Sequence, residues 1–186
     1  NQYPIDVRGS NFKQQWVFNI GHFFEDMVAP LLMKAGVFIG REMTADLVRN
    51  TSDGGQYRIS GKIDFVVLNS ATGSAEVIEC KTTGAYKAAG LVVPGPNGFA
   101  PDPSHVLQVI PYLIWLGMPG QGRQKPRATI LYLTRDGEGG EHEVYLDPSD
   151  GHVVIENSEG TAHWTHMTPE KMFASWDKLY CAIRDN

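Results

Sequence analysis

The chain has 186 residues, of which 42% are hydrophobic and 20% are charged, and its formal net charge is −5. This composition predicts one globular domain over residues 1–186 with a sizeable core, and it excludes a disordered or fibrous chain. The acidic balance disfavours a protein that coats nucleic acid, but it agrees with an enzyme whose carboxylates recruit a cation.

A membrane or an oxidising compartment is not expected from the sequence. The longest nearly apolar run, Val109 to Met118, is shorter than the roughly 20 residues that span a bilayer, and it predicts a buried helix. No basic start precedes an apolar stretch, so no signal peptide is expected. Two distant cysteines, Cys80 and Cys181, favour a reducing, intracellular location. We expect the cytoplasm of a bacterial or phage-infected cell, with an organellar matrix left open. The start at Asn1 rather than Met is expected either of a trimmed chain or of a domain of a larger polypeptide.

A helix and three strands are predicted for the first half of the chain. Apolar residues recur at three- and four-residue steps from Gln14 to Lys34, which is helical periodicity, and Gly36 provides a stop. Strand-forming runs then alternate with turns, and strands are predicted at residues 37–48, 57–68 and 75–82. The second and third strands form a hairpin, and Ile63, Phe65 and Val67 are expected on one face of it.

A long loop, a second hairpin and two more helices are predicted for the second half. Residues 84–104 hold four prolines, and a loop of this length is typical of a functional lid or a disordered segment. Ser104 predicts the N-cap of a helix that runs to about Leu116. A hairpin is expected at 128–134 and 142–146, and one more short strand at 153–156. A final helix is expected to begin at Thr168-Pro169-Glu170. The predicted class is α/β (α+β), a central mixed β-sheet flanked by helices in the order α-β-β-β-α-β-β-α.

The segment from Gly61 to Lys81 has the most chemical content. Because side chains alternate along a strand, Glu79 and Lys81 point to one face and Cys80 to the other. Asp64 lies on the partner strand of the hairpin, where pairing can bring it beside Glu79. Two close carboxylates repel each other, and a hard divalent cation such as Mg²⁺ or Mn²⁺ relieves that repulsion. Such a cation activates water for attack on a phosphodiester, while Lys81 orients the water or stabilises charge on the phosphate.

These residues resemble the PD-(D/E)XK nuclease superfamily, which implies a restriction-endonuclease-like core. The resemblance lies in the sequence G-K-I-D, which ends at Asp64, and in E-C-K, which ends at Lys81. Ile63 stands where the superfamily usually has proline. Gln108 and Tyr112 share one helix face in a Q-x-x-x-Y pattern that resembles the RecB-like branch, which includes lambda-type exonucleases, Cas4-type nucleases and mitochondrial MGME-type exonucleases.

The resemblance implies further roles. The first predicted helix carries G-x-x-x-E ending at Glu25, which implies that Glu25 is an extra metal ligand or orders a metal-bound water. The backbone carbonyl of Cys80 would be another ligand, and Gln108 and Tyr112 would position the substrate. His22 lies one turn from Glu25 and is a candidate supporting residue. No iron–sulfur cluster is expected, because a cluster typically takes about four cysteines and the chain has two.

Several other residues are candidates for contact with nucleic acid. Tyr86 and Lys87 follow the E-C-K strand into the long loop, where they could stack on a base and contact a phosphate. Arg8, Lys13 and Arg41 are candidate phosphate contacts on the basis of charge alone.

The sequence therefore predicts a Mg²⁺-dependent deoxyribonuclease. The resemblance favours an exonuclease that processes free DNA ends alongside replication, recombination or repair proteins. An endonuclease on the same fold, either a restriction or a junction-cleaving enzyme, is the nearest alternative. An inactive nucleic-acid-binding module and a structural domain with coincidental motifs are the others. The sequence leaves polarity, strand preference, the choice of DNA or RNA, and oligomeric state open.

Overall fold

Three helices and seven strands make up the described part of the computed structural model, which is residues 12–83, 101–117, 126–134, 139–157, 160–164 and 167–184. In chain order they are α1 (Phe12–Lys34), β1 (Phe38–Asn50), β2 (Gln56–Leu68), β3 (Ala75–Thr83), α2 (Pro103–Gly117), β4 (Arg127–Thr134), β5 (Gly139–Leu146), β6 (Val153–Asn157), β7 (Gly160–Trp164) and α3 (Pro169–Arg184). The predicted order has two strands between α2 and α3, whereas the structure has four. Of the two additional strands, β6 matches the short strand expected at 153–156, and β7 was not predicted.

All seven strands form one mixed sheet in the order β1 to β7. Strands β3 and β4 are parallel, and the other neighbouring pairs are antiparallel. A parallel pair needs a crossover connection, and α2 lies in this one. The fold is therefore α+β, with a central mixed sheet and helices around it, as predicted. The crossover brings α2 against the strand that carries Glu79 and Lys81.

The helices cover opposite faces of the sheet. Helix α1 buries Phe24 and Val28 against Phe65 and Val67 of β2, and we call this face the α1 side. Helices α2 and α3 cover the other face, the α2 side. Their buried apolar side chains there are Val106, Val109, Ile110, Leu113, Leu116, Met172 and Phe173. The predicted buried helix is thus confirmed in its described part, and burial of its side chains is the main stabilising term for this layer.

Local sequence signals explain where the helices begin and end. Gly36 has a φ of 71°, which glycine adopts without steric cost, and the amide of Val37 donates to Leu32 O at 3.2 Å, so α1 ends as predicted. Thr168 caps α3 through a 3.4 Å hydrogen bond from the amide of Lys171, also as predicted. The predicted cap of α2 was wrong. Asp102 rather than Ser104 is the N-cap, because its Oδ1 accepts the Ser104 amide at 3.0 Å.

Strand β2 does not keep one alternation along its whole length. Ile63 packs on the α2 side, whereas Phe65 and Val67 pack on the α1 side. The prediction that these three residues share a face was therefore wrong. The ladder between β2 and β3 begins at Phe65, which pairs with Ile78, so the change of face occurs where the pairing with β3 starts. Asp64 lies at this change, between two residues that face opposite sides.

Helix length and the state of the two cysteines are two further features of the described residues. Within the described ranges, no helix has both the length and the apolar character needed to cross a bilayer. Cys80 on β3 and Cys181 on α3 both carry free thiols.

Candidate active site

Strand β3 presents Glu79 and Lys81 to the α2 side of the sheet, as their alternation predicts. Val77, two residues earlier on the same strand, is part of the α2-side core. Glu79 is only 1% exposed, and Lys81 is partly buried beside it. A carboxylate is rarely buried to this degree without a partner. Glu79 therefore requires partners that stabilise its buried carboxylate.

Gln108 of α2 joins Glu79 and Lys81 in a closed hydrogen-bonded group, which we call the E-K-Q triangle. Lys81 Nζ donates to Glu79 Oε1 at 2.6 Å and to Gln108 Oε1 at 2.8 Å. Gln108 Nε2 donates to the same Glu79 Oε1 at 2.6 Å. Each member is thus held by the other two, and the lysine ammonium has little freedom to move. Gln108 was predicted to position substrate, and here it positions the lysine and the glutamate.

The second carboxylate oxygen of Glu79, Oε2, differs from Oε1 in its hydrogen bonding. Glu79 Oε2 is buried and has no hydrogen-bond partner among the described residues. A buried, unsatisfied oxygen costs about 1–3 kcal/mol, and more when it carries charge. An orphaned oxygen of this kind in a carboxylate cluster fits a site that is completed by a cation.

Asp64 is fixed to β3 by the backbone. Its Oδ2 accepts the amide N–H of Cys80 at 2.7 Å. Continuing the observed ladder by one step puts Asp64 opposite Glu79, so the predicted approach of the two carboxylates agrees with the pairing. The N–H and C=O of a strand residue point to the same side. The Cys80 carbonyl is therefore directed toward β2 and Asp64, where it could serve as a further oxygen ligand.

Both carboxyl groups have a raised proton affinity, chiefly because they are buried. Burial, together with the charge of Glu25, raises the pKa of Asp64 from 3.8 to about 6, although the Cys80 hydrogen bond opposes the shift. Burial and the charge of Asp64 raise the pKa of Glu79 from 4.5 to about 7, against the effect of Lys81. At neutral pH, this site therefore resists holding two full negative charges without added positive charge.

Glu25 lies near Asp64 and Glu79, but its carboxylate contacts Arg41 and His22. Arg41 Nη2 lies 3.1 Å from Glu25 Oε2, and His22 Nδ1 lies 3.8 Å from the same oxygen. Ligand atoms of His22, Glu25 and Glu42 lie within 4.8 Å of one another. The predicted ligand set of Glu25, Asp64 and Glu79 does not form a group as compact as this one. The metal-ligand role of Glu25 and the supporting role of His22 remain predictions.

Arg41 was considered a phosphate contact on charge alone. Its guanidinium pairs with Glu25 and also with Asp26, where Nη1 and Oδ1 are 2.6 Å apart. Much of its charge is therefore already balanced within the protein. Tyr86, Lys87 and Arg8 lie outside the described residues, as does the side chain of Lys13.

Tyr112 fixes the strand that carries Asp64. It is 5% exposed, and its hydroxyl donates to the Lys62 carbonyl at 2.9 Å. Burial raises the pKa of Tyr112, which keeps the hydroxyl protonated and able to donate. A Cβ on Gly61 would lie 2.8 Å from the tyrosine ring, so this close approach requires glycine. In this structure, Tyr112 positions β2 just before Asp64.

Cys80 and a tyrosine–histidine pair complete the surroundings. The Cys80 side chain packs against the core on the α1 side, and burial raises the pKa of its thiol. Tyr132 of β4 pairs with Lys81 in the sheet, and its hydroxyl lies 2.8 Å from Nδ1 of His105 on α2. The sequence analysis missed this pair. The available signal was that His105 precedes Gln108 by one helical turn.

Comparisons with known proteins add no relative to this description. No protein-family model, no curated protein and no solved structure matches the chain. The function is therefore inferred from the chemistry of the residues themselves.

Proposed function

We propose that this protein is a metal-dependent nuclease of the PD-(D/E)XK type that hydrolyses phosphodiester bonds in DNA and acts preferentially at strand ends. The observation that carries the proposal is the buried carboxylate of Glu79. Its Oε1 accepts from Lys81 and Gln108, and its Oε2 has no partner among the described residues. A divalent cation shared with Asp64 would satisfy that oxygen and offset the repulsion between the two carboxylates.

The residues present fit Mg²⁺, with Mn²⁺ as a substitute. Asp64, Glu79 and the Cys80 carbonyl would supply hard oxygen ligands, which both ions prefer. Glu25 is close enough to raise the pKa of Asp64, so it would assist from the edge of the site. When bound, the cation supplies positive charge to the phosphate and lowers the pKa of a coordinated water.

The other residues of the site position the reacting groups and neutralise charge on the phosphate. The Lys81 ammonium is held by Glu79 and Gln108, so it is already oriented for a phosphate oxygen or an attacking water. A fixed positive charge stabilises the negative charge that develops on the phosphate without reorganising during the reaction. Asp64 is held by the Cys80 amide, and β2 is held by Tyr112. The site is thus preorganised on sheet and helix rather than on loops.

Two considerations favour an active, end-directed enzyme. The complete set of Asp64, Glu79 and Lys81 supports catalysis, since a binding module that had lost activity would be expected to lack one of them. The preference for ends rests on the resemblance to the RecB-like branch, and it suggests replication, recombination or repair of DNA as the setting.

Replacing Lys81 tests the proposal. Cleavage of a labelled DNA oligonucleotide in Mg²⁺ is expected to fall at least about 100-fold in Lys81→Ala, because one fixed stabiliser of the phosphate charge is lost. Binding of the same DNA should change little, whereas the thermal midpoint should fall, because the buried Glu79 loses its ion-pair partner. Lys178→Ala is the matched control, since Lys178 is exposed on α3, and it should cleave like the wild type. Full activity in Lys81→Ala would reject the role given to this residue.

A further inference from the structure

A cavity of about 270 Å³ opens directly beside the candidate active site. Gly61, Gln108 and Tyr112 line one wall, and all three belong to the site described above. Leu47 of β1 and Trp176 of α3 are among the residues that line the rest. We call this cavity the base pocket, for the reasons that follow.

The lining suits a flat, uncharged group. None of the described residues that line the pocket carries a charge, so a phosphate would find no counter-charge there. Two of them, Tyr112 and Trp176, are aromatic, and the more exposed Trp176 offers a ring surface for stacking. Gln108 is polar and can hydrogen-bond to the edge of a ring. The volume lies below the roughly 300–1,000 Å³ of pockets for drug-sized ligands, so one ring system is the appropriate occupant.

The two aromatic walls are held in position. Tyr112 is fixed by its hydrogen bond to the Lys62 carbonyl, and the absence of a side chain at Gly61 lets its ring lie against β2. Trp176 packs edge-on against Phe173, with ring centroids 5.9 Å apart and an interplanar angle of 72°. A preformed stacking surface loses little side-chain entropy when a base arrives.

We infer that the base pocket receives one unpaired nucleobase of a single-stranded DNA segment whose phosphate lies at Asp64, Glu79 and Lys81. This inference rests on the proposed function, because it names the form of DNA that the same site takes. Gln108 connects the two, since it lines the pocket and also bonds to Glu79 and Lys81. A base within a duplex would have to leave its stack and its partner first, which costs a few kcal/mol. Single strands and frayed ends are therefore the preferred substrates.

Binding measured without cleavage tests the pocket. Fluorescence anisotropy in EDTA and low salt compares a labelled single-stranded 12-mer with a blunt duplex of the same sequence. Trp176→Ala removes one stacking surface, and Ile59→Phe narrows the pocket from a partly buried position on the α2 side. Each variant is expected to weaken single-strand binding by about 5- to 100-fold, which is the range for loss of one stacked base. Duplex binding should stay within about twofold of the wild type.

Matched controls come from exposed apolar residues on the same elements or their neighbours. Leu179→Ala lies on α3 near Trp176, and Val48→Phe lies on β1 next to the strand that carries Ile59. Neither residue lines the pocket, and both variants should bind like the wild type. The inference is overturned if folded Trp176→Ala and Ile59→Phe proteins bind the single strand as tightly as the wild type. Equal losses on single strand and duplex, or no single-strand binding by the wild type, would overturn it as well.

Cleavage by the wild type, measured separately in Mg²⁺, distinguishes the two proposals. If the wild type cleaves DNA but Trp176→Ala binds the single strand as tightly as the wild type, the base pocket is rejected and the nuclease proposal stands. Pocket-dependent binding without any cleavage rejects the nuclease and keeps a base-binding site.

Discussion

Replacing Glu79 with glutamine removes a buried negative charge and keeps the shape of the side chain. The amide oxygen can still accept hydrogen bonds from Lys81 and Gln108, which now both donate to Glu79 Oε1. The orphaned Oε2 position becomes an NH₂ group without a charge. The variant should therefore be more stable than the wild type at pH 8 and inactive in cleavage, because function and stability make opposite demands on this residue.

The size of the effect follows from the pKa of Glu79. The value rises from 4.5 to about 7 in the folded protein, chiefly through burial. At pH 8, the ionised group then lowers the free energy of unfolding by about 3 kcal/mol relative to an unperturbed glutamate. The NH₂ group at the former Oε2 position is buried without a partner among the described residues, which opposes the gain. A net stabilisation of about 1–2 kcal/mol is expected for Glu79→Gln at pH 8.

The pKa of Glu79 also determines whether its contribution to stability rises or falls with pH. At Glu79, the folded protein binds more protons than the unfolded chain between pH 4.5 and 7, so the contribution of this residue to stability falls as the pH rises through that range. Asp64, with its pKa raised to about 6, acts in the same direction. Urea unfolding at pH 5 and pH 8 should show the wild type losing about 2 kcal/mol more than the variant over this interval.

Added Mg²⁺ separates a cation site from simple charge repulsion. At ten times its Kd, the cation should stabilise the wild type at pH 8 by about 1.4 kcal/mol, and Glu79→Gln should gain much less. The reasoning is refuted if Glu79→Gln is less stable than the wild type at pH 8. A wild type that loses no more stability than Glu79→Gln between pH 5 and pH 8 would refute it equally.

Three further substitutions test the supports of the site. Gly61→Ala should destabilise the fold by about 1–3 kcal/mol, because its Cβ meets the Tyr112 ring, and it should reduce cleavage. Gly21→Ala is the contrasting case, since a Cβ there meets nothing within 4 Å, and a gain of about 0.5–1 kcal/mol in thermal unfolding is expected from helix propensity. Tyr112→Phe should cost about 1 kcal/mol through loss of the bond to Lys62 O, and an unchanged midpoint would contradict that bond.

Local signals predicted the parts of the fold that depend on neighbours in sequence. The end of α1 at Gly36 and the cap of α3 at Thr168 both follow from a few adjacent residues. The β2–β3 hairpin follows from two strand-forming runs around one turn. At α2 the same reasoning predicted Ser104 as the N-cap, because Ser104 and Asp102 are both good capping residues. Proline favours the first helical position, so Pro103 was the signal that the cap is Asp102, the residue before it.

Long-range packing determined what the sequence did not predict. The change of face at Asp64 depends on which helix covers each side of the sheet, and strand periodicity alone assumes a regular pleat. Strand β7 extends the sheet edge beyond the predicted hairpin, and it exists only because β6 offers it a partner.

In the candidate site, too, local sequence predicted some features and long-range packing determined the others. Alternation put Glu79 and Lys81 on one face, and the hairpin brought Asp64 to β3, both from sequence alone. The contact of Gln108 with Glu79 requires α2 to cross over β3, which a motif cannot specify. The pairing of Arg41 with Glu25 likewise joins a helix to a strand 16 residues later.

Cleavage of two forms of DNA tests the central claim most directly. End-labelled linear DNA and closed circular DNA would be incubated with the wild type and with Glu79→Gln, in Mg²⁺, in Mn²⁺ and in EDTA. We expect loss of the linear substrate in either metal ion, no loss in EDTA or with the variant, and survival of the circle. Cleavage of the circle would replace the exonuclease by an endonuclease on the same site. Absence of cleavage from both substrates in both metal ions, or equal cleavage by Glu79→Gln, would contradict the account.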